Sequence, residues 1–246
     1  MRKQLAQLAL ATAALAGAST SAQAYIVLTI ADTGLGVSKV CDLTAWNGLS
    51  TFCGAEFFVV SANNVTFSGT VGNFQVATTN GAGNAPGNAI FADLNSSTTS
   101  VTRLNAGAGH LAIDVVGFDY TQPIGAMKSF SASASLTSPS GLFSPGDNIQ
   151  SQFYVDGSNS GGLVNSLSCG MAVTANNSCN AGSLMWTDGS PAQFSIRSQQ
   201  QYFVAAGGSV NATSSAIVRV PEPASLGLVG LALLGAGFAA RRKLKA

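Results

Sequence analysis

Two aspartates, one histidine and an oxygen-rich loop hold the chain's clearest capacity for chemistry. Asp114 and Asp119 lie in the apolar run Leu111–Tyr120. Paired carboxylates can serve as acid and base in glycoside hydrolysis, or bind calcium. Their odd spacing sends them to opposite faces of a regular strand. A bulge at Gly117 would bring them to one face. Hydrogen bonding to neighbouring loop backbone is the structural role such residues take, and it is the one assigned here. His110 is the single histidine and stands where a glycine-rich turn becomes that strand. A Ser-His-Asp or Cys-His arrangement would have to use it. No G-x-S-x-G accompanies it, and it reads as structural or solvated. Asp156-Gly157-Ser158-Asn159-Ser160-Gly161 places oxygen ligands at alternate positions but lacks the further acids and distal Glu of a calcium loop. It reads as a surface hairpin loop. No catalytic residue, metal site or cofactor is assigned, and the domain is expected not to be an enzyme.

Cys41, Cys53, Cys169 and Cys179 are an even set without a C-x-x-C pair. That pattern favours disulfides in an oxidising compartment over a metal site. Of the three possible connectivities the local pairs, Cys41–Cys53 and Cys169–Cys179, are favoured because each staples a turn-rich stretch. Such loops contribute about 2–3 kcal/mol each. Trp46 lies inside the first cysteine loop and Trp186 follows the second. Exposed, either could stack on a sugar ring; buried, either would pack against a disulfide or the core. Asn64, Asn95, Asn176 and Asn211 head N-x-S/T triplets.

The elements that must position these residues are strands. Phe130–Thr137 alternates apolar side chains with hydroxyls, and Ser209–Val220 and Ile149–Val155 repeat the pattern. Leu111–Tyr120 is apolar on both faces, like a strand buried on both sides. Further strands are expected at Tyr25–Ala31, Phe57–Ser61, Val65–Val71, Phe74–Thr78, Ala89–Leu94, Ser100–Leu104, Gly170–Thr174, Ala192–Arg197 and Gln201–Ala205. Turn signals separate them at Asn80–Asn84, Ala106–Gly109, Ser144–Asp147 and Asp156–Gly162. The pattern predicts an all-β fold, an antiparallel β-sandwich or jelly-roll-like domain.

Both ends read as addresses. Arg2 and Lys3 precede an apolar stretch, and Ala22-Gln23-Ala24 gives a small-x-small cleavage pattern. Residues 1–24 are therefore expected to be a signal peptide in helical form, with the mature chain starting at Tyr25. At the other end, Ala224–Ala240 contains no charged residue. Its length as a helix is about 25 Å, near the lower limit for a single transmembrane helix. Arg241, Arg242, Lys243 and Lys245 follow, and the positive-inside rule places that tail in the cytoplasm. Residues 25–220 are then held outside the inner membrane as one domain. Six of the eleven cations and one of the ten acids fall in the terminal segments, leaving five against nine and a net charge of −4. No basic patch exists, which argues against a nucleic-acid partner.

Residues 221–246 resemble the PEP-CTERM sorting signal of bacterial surface proteins. The matching parts are Val220-Pro221-Glu222-Pro223-Ala224-Ser225, the glycine-rich apolar helix and the basic tail. Two prolines hold Pro221, Glu222 and Pro223 extended, as a peptidase cleft requires. The resemblance implies processing by an exosortase, a membrane cysteine peptidase, in Gram-negative bacteria that make exopolysaccharide or biofilm matrix. The expected partners are exosortase, signal peptidase and the Sec export machinery, the inner membrane, and exopolysaccharide. The reading is a non-enzymatic structural or adhesive β domain, exported, anchored until processed, then secreted or displayed at the cell surface. A carbohydrate-binding module is the alternative, and a surface hydrolase using Asp114 and Asp119 ranks third.

Overall fold

Alternation of apolar and polar side chains folds this chain into long antiparallel strands. The computed structural model describes residues 24–46, 48–50, 52–88, 90–106, 109–125, 127–141, 143–187 and 193–221. Ala22, Glu222, Pro223, the apolar segment 224–240 and the basic tail with Arg241, Arg242, Lys243 and Lys245 lie outside the described residues. Among the described residues no helix is long and apolar enough to cross a membrane.

In chain order the strands are β1 Ile26–Asp32, β2 Val37–Asp42, β3 Phe57–Ser61, β4 Asn64–Val71, β5 Phe74–Gly83, β6 Phe91–Arg103 and β7 Leu111–Tyr120. They continue with β8 Met127–Ser140, β9 Asn148–Asp156, β10 Ser166–Ala172, β11 Asn177–Thr187, β12 Phe194–Phe203 and β13 Ser209–Arg219. One short 3-10 turn, Leu43–Ala45, follows β2 and is capped by the Asp42 carboxylate accepting from Thr44 N–H. The strands form two antiparallel sheets, ordered β10-β9-β12-β7-β1-β2 and β11-β8-β13-β6-β5-β4-β3.

The sheets face each other across one shared core. From the six-stranded sheet Ile26, Leu28, Ile30, Ile113, Val115, Phe153 and Tyr202 point inward, and from the seven-stranded sheet Phe67, Phe74, Leu94, Phe130, Leu136 and Val218 meet them. The core also carries hydroxyl pairs. Thr79 and Thr98 are joined at 2.7 Å, and Ser198 of one sheet meets Ser214 of the other at 2.7 Å. Buried polar groups need such partners.

Several strands run further than their turn signals imply. The Asn80–Asn84 turn is not formed, because β5 continues through Gly83. The glycines there answer the opposite sheet. A Cβ on Gly81 would come within 2.9 Å of Val115 Cγ1, and one on Gly83 within 2.5 Å of the Tyr120 hydroxyl. The two strands expected at Ala89–Leu94 and Ser100–Leu104 prove to be one, β6, over Phe91–Arg103. Its interruption is a bulge in which Ser100 takes φ 53° and its N–H is held by Asn211 Oδ1 at 2.7 Å. Likewise the strands expected at Ala192–Arg197 and Gln201–Ala205 are one strand, β12, over Phe194–Phe203, whose Ser198 and Gln200 are buried. β2 and β11 had no strand signal; both are sheet edges with largely exposed side chains.

Two connections pass from one sheet to the other at opposite edges, and each carries a disulfide. Cys41 sits on the edge strand β2 and is bonded to Cys53, just before the facing edge strand β3. Cys169 on edge strand β10 is bonded to Cys179 on edge strand β11. Both local pairings are therefore formed, and each clasps one open side of the paired sheets.

Candidate functional site

The aspartates of β7 are drawn to one face but do not form a working pair. Phe194 pairs with Tyr120 and Ile196 with Gly117, so β7 has an extra residue at Phe118–Asp119. Asp119 takes φ 60° there. Leu111, Ile113 and Val115 point inward before the bulge and Tyr120 after it. Asp114 and Asp119 therefore both lie on the outer face, and each has its own partner. The Arg197 guanidinium donates to Asp114 from Nε at 2.9 Å and from Nη2 at 2.6 Å. Burial raises the Asp114 carboxyl above its usual range, and the Arg197 charge and hydrogen bonds pull against that rise. The Asp119 carboxylate accepts from Asn159 Nδ2 at 2.6 Å, while its N–H donates to Asn159 Oδ1 at 2.9 Å.

Asn159 belongs to the Asp156–Gly162 loop, so the structure brings two of the sequence candidates into one cluster. This loop joins β9 to its antiparallel neighbour β10, as a hairpin should. Asp156 Oδ1 accepts from Ser158 N–H and Oγ–H, and Oδ2 accepts from Ser160 N–H and Oγ–H and from Gly162 N–H. Burial alone raises this carboxyl, but the hydrogen bonds from Ser160, Ser158 and Gly162 outweigh it and hold the group well below its ordinary value. The loop folds onto the outer face of the six-stranded sheet. Gly161 N–H donates to Ser195 Oγ, and its carbonyl accepts from Arg197 Nη1 at 3.1 Å. The acids here spend their oxygens on holding a loop. Among the described residues no group of three or more His, Cys, Asp or Glu converges.

His110 stands apart from these acids. Its ring lies 4.3 Å from that of Phe203, and Nδ1 is 3.2 Å from Thr33 Oγ1. Partial burial lowers its pKa, with Asp32 pulling the other way. Trp186 is 7% exposed, with Lys128 Nζ 4.9 Å over its ring and the Phe194 ring against its edge. Of the two alternatives for this residue it takes the buried one, packed in the core. Trp46 is half-buried against the core, and its Nε1–H donates to the Leu49 carbonyl at 3.0 Å. Asn64, Asn95 and Asn211 are tied to Asn80, Asp93 and Ser100 respectively.

The feature without an individual sequence signal is a groove of about 600 Å³ on the outer face of the seven-stranded sheet. It lies across β11, β8, β13 and β6. Because Phe130, Ala132, Ala134 and Leu136 of β8 point inward, Ser131, Ser133 and Ser135 point out. Strand pairing then aligns side chains into rows. One runs Ser178, Ser135, Thr213, Ser97, Asn80 and Thr66, and the next Asn180, Ser133, Ser215, Asn95, Ala82 and Asn64. The first four residues of each row line the groove, together with Ile217, and no lining residue is charged. Ser135 and Thr213 hydroxyls meet at 2.6 Å. The hydroxyl alternation of β8 and β13 was legible in the sequence; the cross-strand register that assembles the rows was not.

Residues at both ends of the described β domain pack against it. Ala24 is buried, Tyr25 stacks on Phe118 at 4.9 Å, and the Tyr25 carbonyl accepts from Phe118 N–H. At the other end β13 stops at Arg219, Val220 packs on Gly125, and Pro221 is exposed.

Residues 219–243 match the family model of the PEP-CTERM protein-sorting motif. The chain thus bears the sorting signal of exported, exosortase-processed proteins, and its two disulfides fit an extracytoplasmic location. No curated protein matches it. Among solved structures it is similar to TmCBM61 in complex with beta-1,4-galactotriose, at 9% identity and a TM-score of 0.28 over 58% of this chain and 88% of that one. It is also similar to the VP2 subviral particle of infectious bursal disease virus, at 8% identity and a TM-score of 0.20 over 88% of this chain and 69% of that one. At these scores neither likeness carries an argument about function.

Proposed function

We propose that this protein is an exported surface or matrix component whose β domain acts by contact, without turnover. In this reading residues 1–24 are a cleaved signal peptide and 224–240 a transmembrane helix. The basic tail 241–246 stops transfer, and exosortase cuts at or near Pro221, Glu222 and Pro223. The released or transferred domain then associates with exopolysaccharide of a biofilm matrix.

The observation that carries the reading is the sorting motif at residues 219–243, which starts at the last residue of β13. Every described strand ends by Arg219, so a cut at or near Pro221–Pro223 removes none of them. The engagement of Asp114 by Arg197 and of Asp119 by Asn159 supports a role without hydrolysis. Fractionation of producing cells tests the proposal. Wild-type protein is expected in the medium or outer surface fraction, and Glu222→Ala protein in the inner membrane. Identical inner-membrane retention of both would overturn it.

A further inference from the structure

We infer that the groove across β11, β8, β13 and β6 is a binding site for an uncharged, extended polysaccharide chain. This rests on the reading above that the domain contacts glycan, and it gives that reading a place and a ligand class.

The chemistry of the lining selects the class. Serine and threonine hydroxyls and asparagine amides each donate and accept hydrogen bonds, as do the hydroxyls of a sugar. No charged side chain lines the groove. A uronate-bearing or sulfated chain would need arginine or lysine to repay its desolvation. It would find none here, on a domain whose own net charge is −4. Neutral glycans carry no such demand.

Shape points the same way. The volume of about 600 Å³ falls within the range of ligand sites. The two rows cross four strands, a span of about 14 Å at ordinary strand spacing. That is long enough for several consecutive sugar rings lying across the strands. The lining side chains are short, so depth is left above the sheet. Sheets gain more from β-branched and aromatic residues on their faces than from serine and asparagine. A row of small hydroxyls is therefore not the choice that stability alone would make. The bulge between Asn180 and Gly182 bends β11 at the side of the groove.

No aromatic ring lines the groove. Binding by a single domain is then weak, and firm retention comes from many copies on one polymer.

Affinity electrophoresis of the protein purified from producing cells tests the inference. The gels contain hydroxyethylcellulose, dextran or galactan as neutral probes, and alginate as the charged one. Retardation by at least one neutral polymer and none by alginate is the expected result. The double variant Ser133→Val, Ser215→Val keeps β-forming side chains and is expected to weaken retardation about tenfold. Ser168→Val, on the exposed face of β10, is expected to behave as wild type. Thermal melts confirm that each variant is folded. Free migration of wild type in every neutral gel overturns the inference, as does retardation by alginate alone or unchanged binding by the double variant. Each of these outcomes leaves the sorting reading standing, since that is decided by fractionation.

Discussion

The Asp156 carboxylate accepts three backbone N–H groups and two hydroxyls, and this sets the shape of the loop over the six-stranded sheet. Replacing it with alanine removes all five charge-assisted hydrogen bonds, although the exposed Ser158 and Ser160 donors can turn to water. Asp156→Ala is expected to cost about 2 kcal/mol at neutral pH, read from urea unfolding. The pH dependence has a definite sign. The folded-state pKa is depressed, so the group's electrostatic contribution is full above its unfolded value of about 4. It is lost as pH falls through the lower folded value. The gap between wild type and variant should therefore be smaller at pH 3 than at pH 7. Equal gaps would mean that the carboxylate acts only by packing. Asp114 and Asp119 follow a related logic: each looks catalytic in a list of residues, and each is committed to a local partner once its neighbours are placed.

At the scale of elements, the two disulfides close opposite sides of the paired sheets. Each joins an edge of one sheet to the facing edge of the other. Removing the second with Cys169→Ser and Cys179→Ser is expected to lower stability by about 2–3 kcal/mol. Fluctuation should rise at β10 and β11 first. Hydrogen exchange that quickens there before it does in β7 or β12 would bear this out, and uniform quickening would contradict it. Much of this architecture was legible in the sequence. Apolar patterning placed β1, β3, β4, β7, β9 and β13 to within a residue of their ends and found the middle of β8, because each buries one face or both. It failed where a residue answers the opposite sheet instead of its own strand. Gly81 and Gly83 look like a turn but make room for Val115 and Tyr120. Ser198 looks like a break yet pairs with Ser214 inside the core. The edge strands β2 and β11 bury too little for alternation to show. Cysteine spacing succeeded because short loops left local pairing as the economical solution.

Taken whole, the molecule is a β domain whose last strand runs directly into a sorting motif. Tyr25 is already packed at the start of β1, and Val220 is still packed after β13. The exposed Pro221 begins the segment read as the exosortase target. The outer face of one sheet is tied down by a loop, while the outer face of the other is an open, uncharged field of hydroxyls and amides. This arrangement suits a domain displayed to a glycan matrix after release from the membrane. The central claim is that processing removes the tail and leaves the domain intact. Intact mass of the protein from cell envelope and medium, with and without Glu222→Ala, tests it most directly. The account predicts a wild-type chain that begins at Tyr25 and ends between Val220 and Pro223, with or without an added group. It predicts that the variant keeps its full tail. A full tail on wild-type protein in both fractions would contradict it, and would make this a β domain anchored permanently in the membrane.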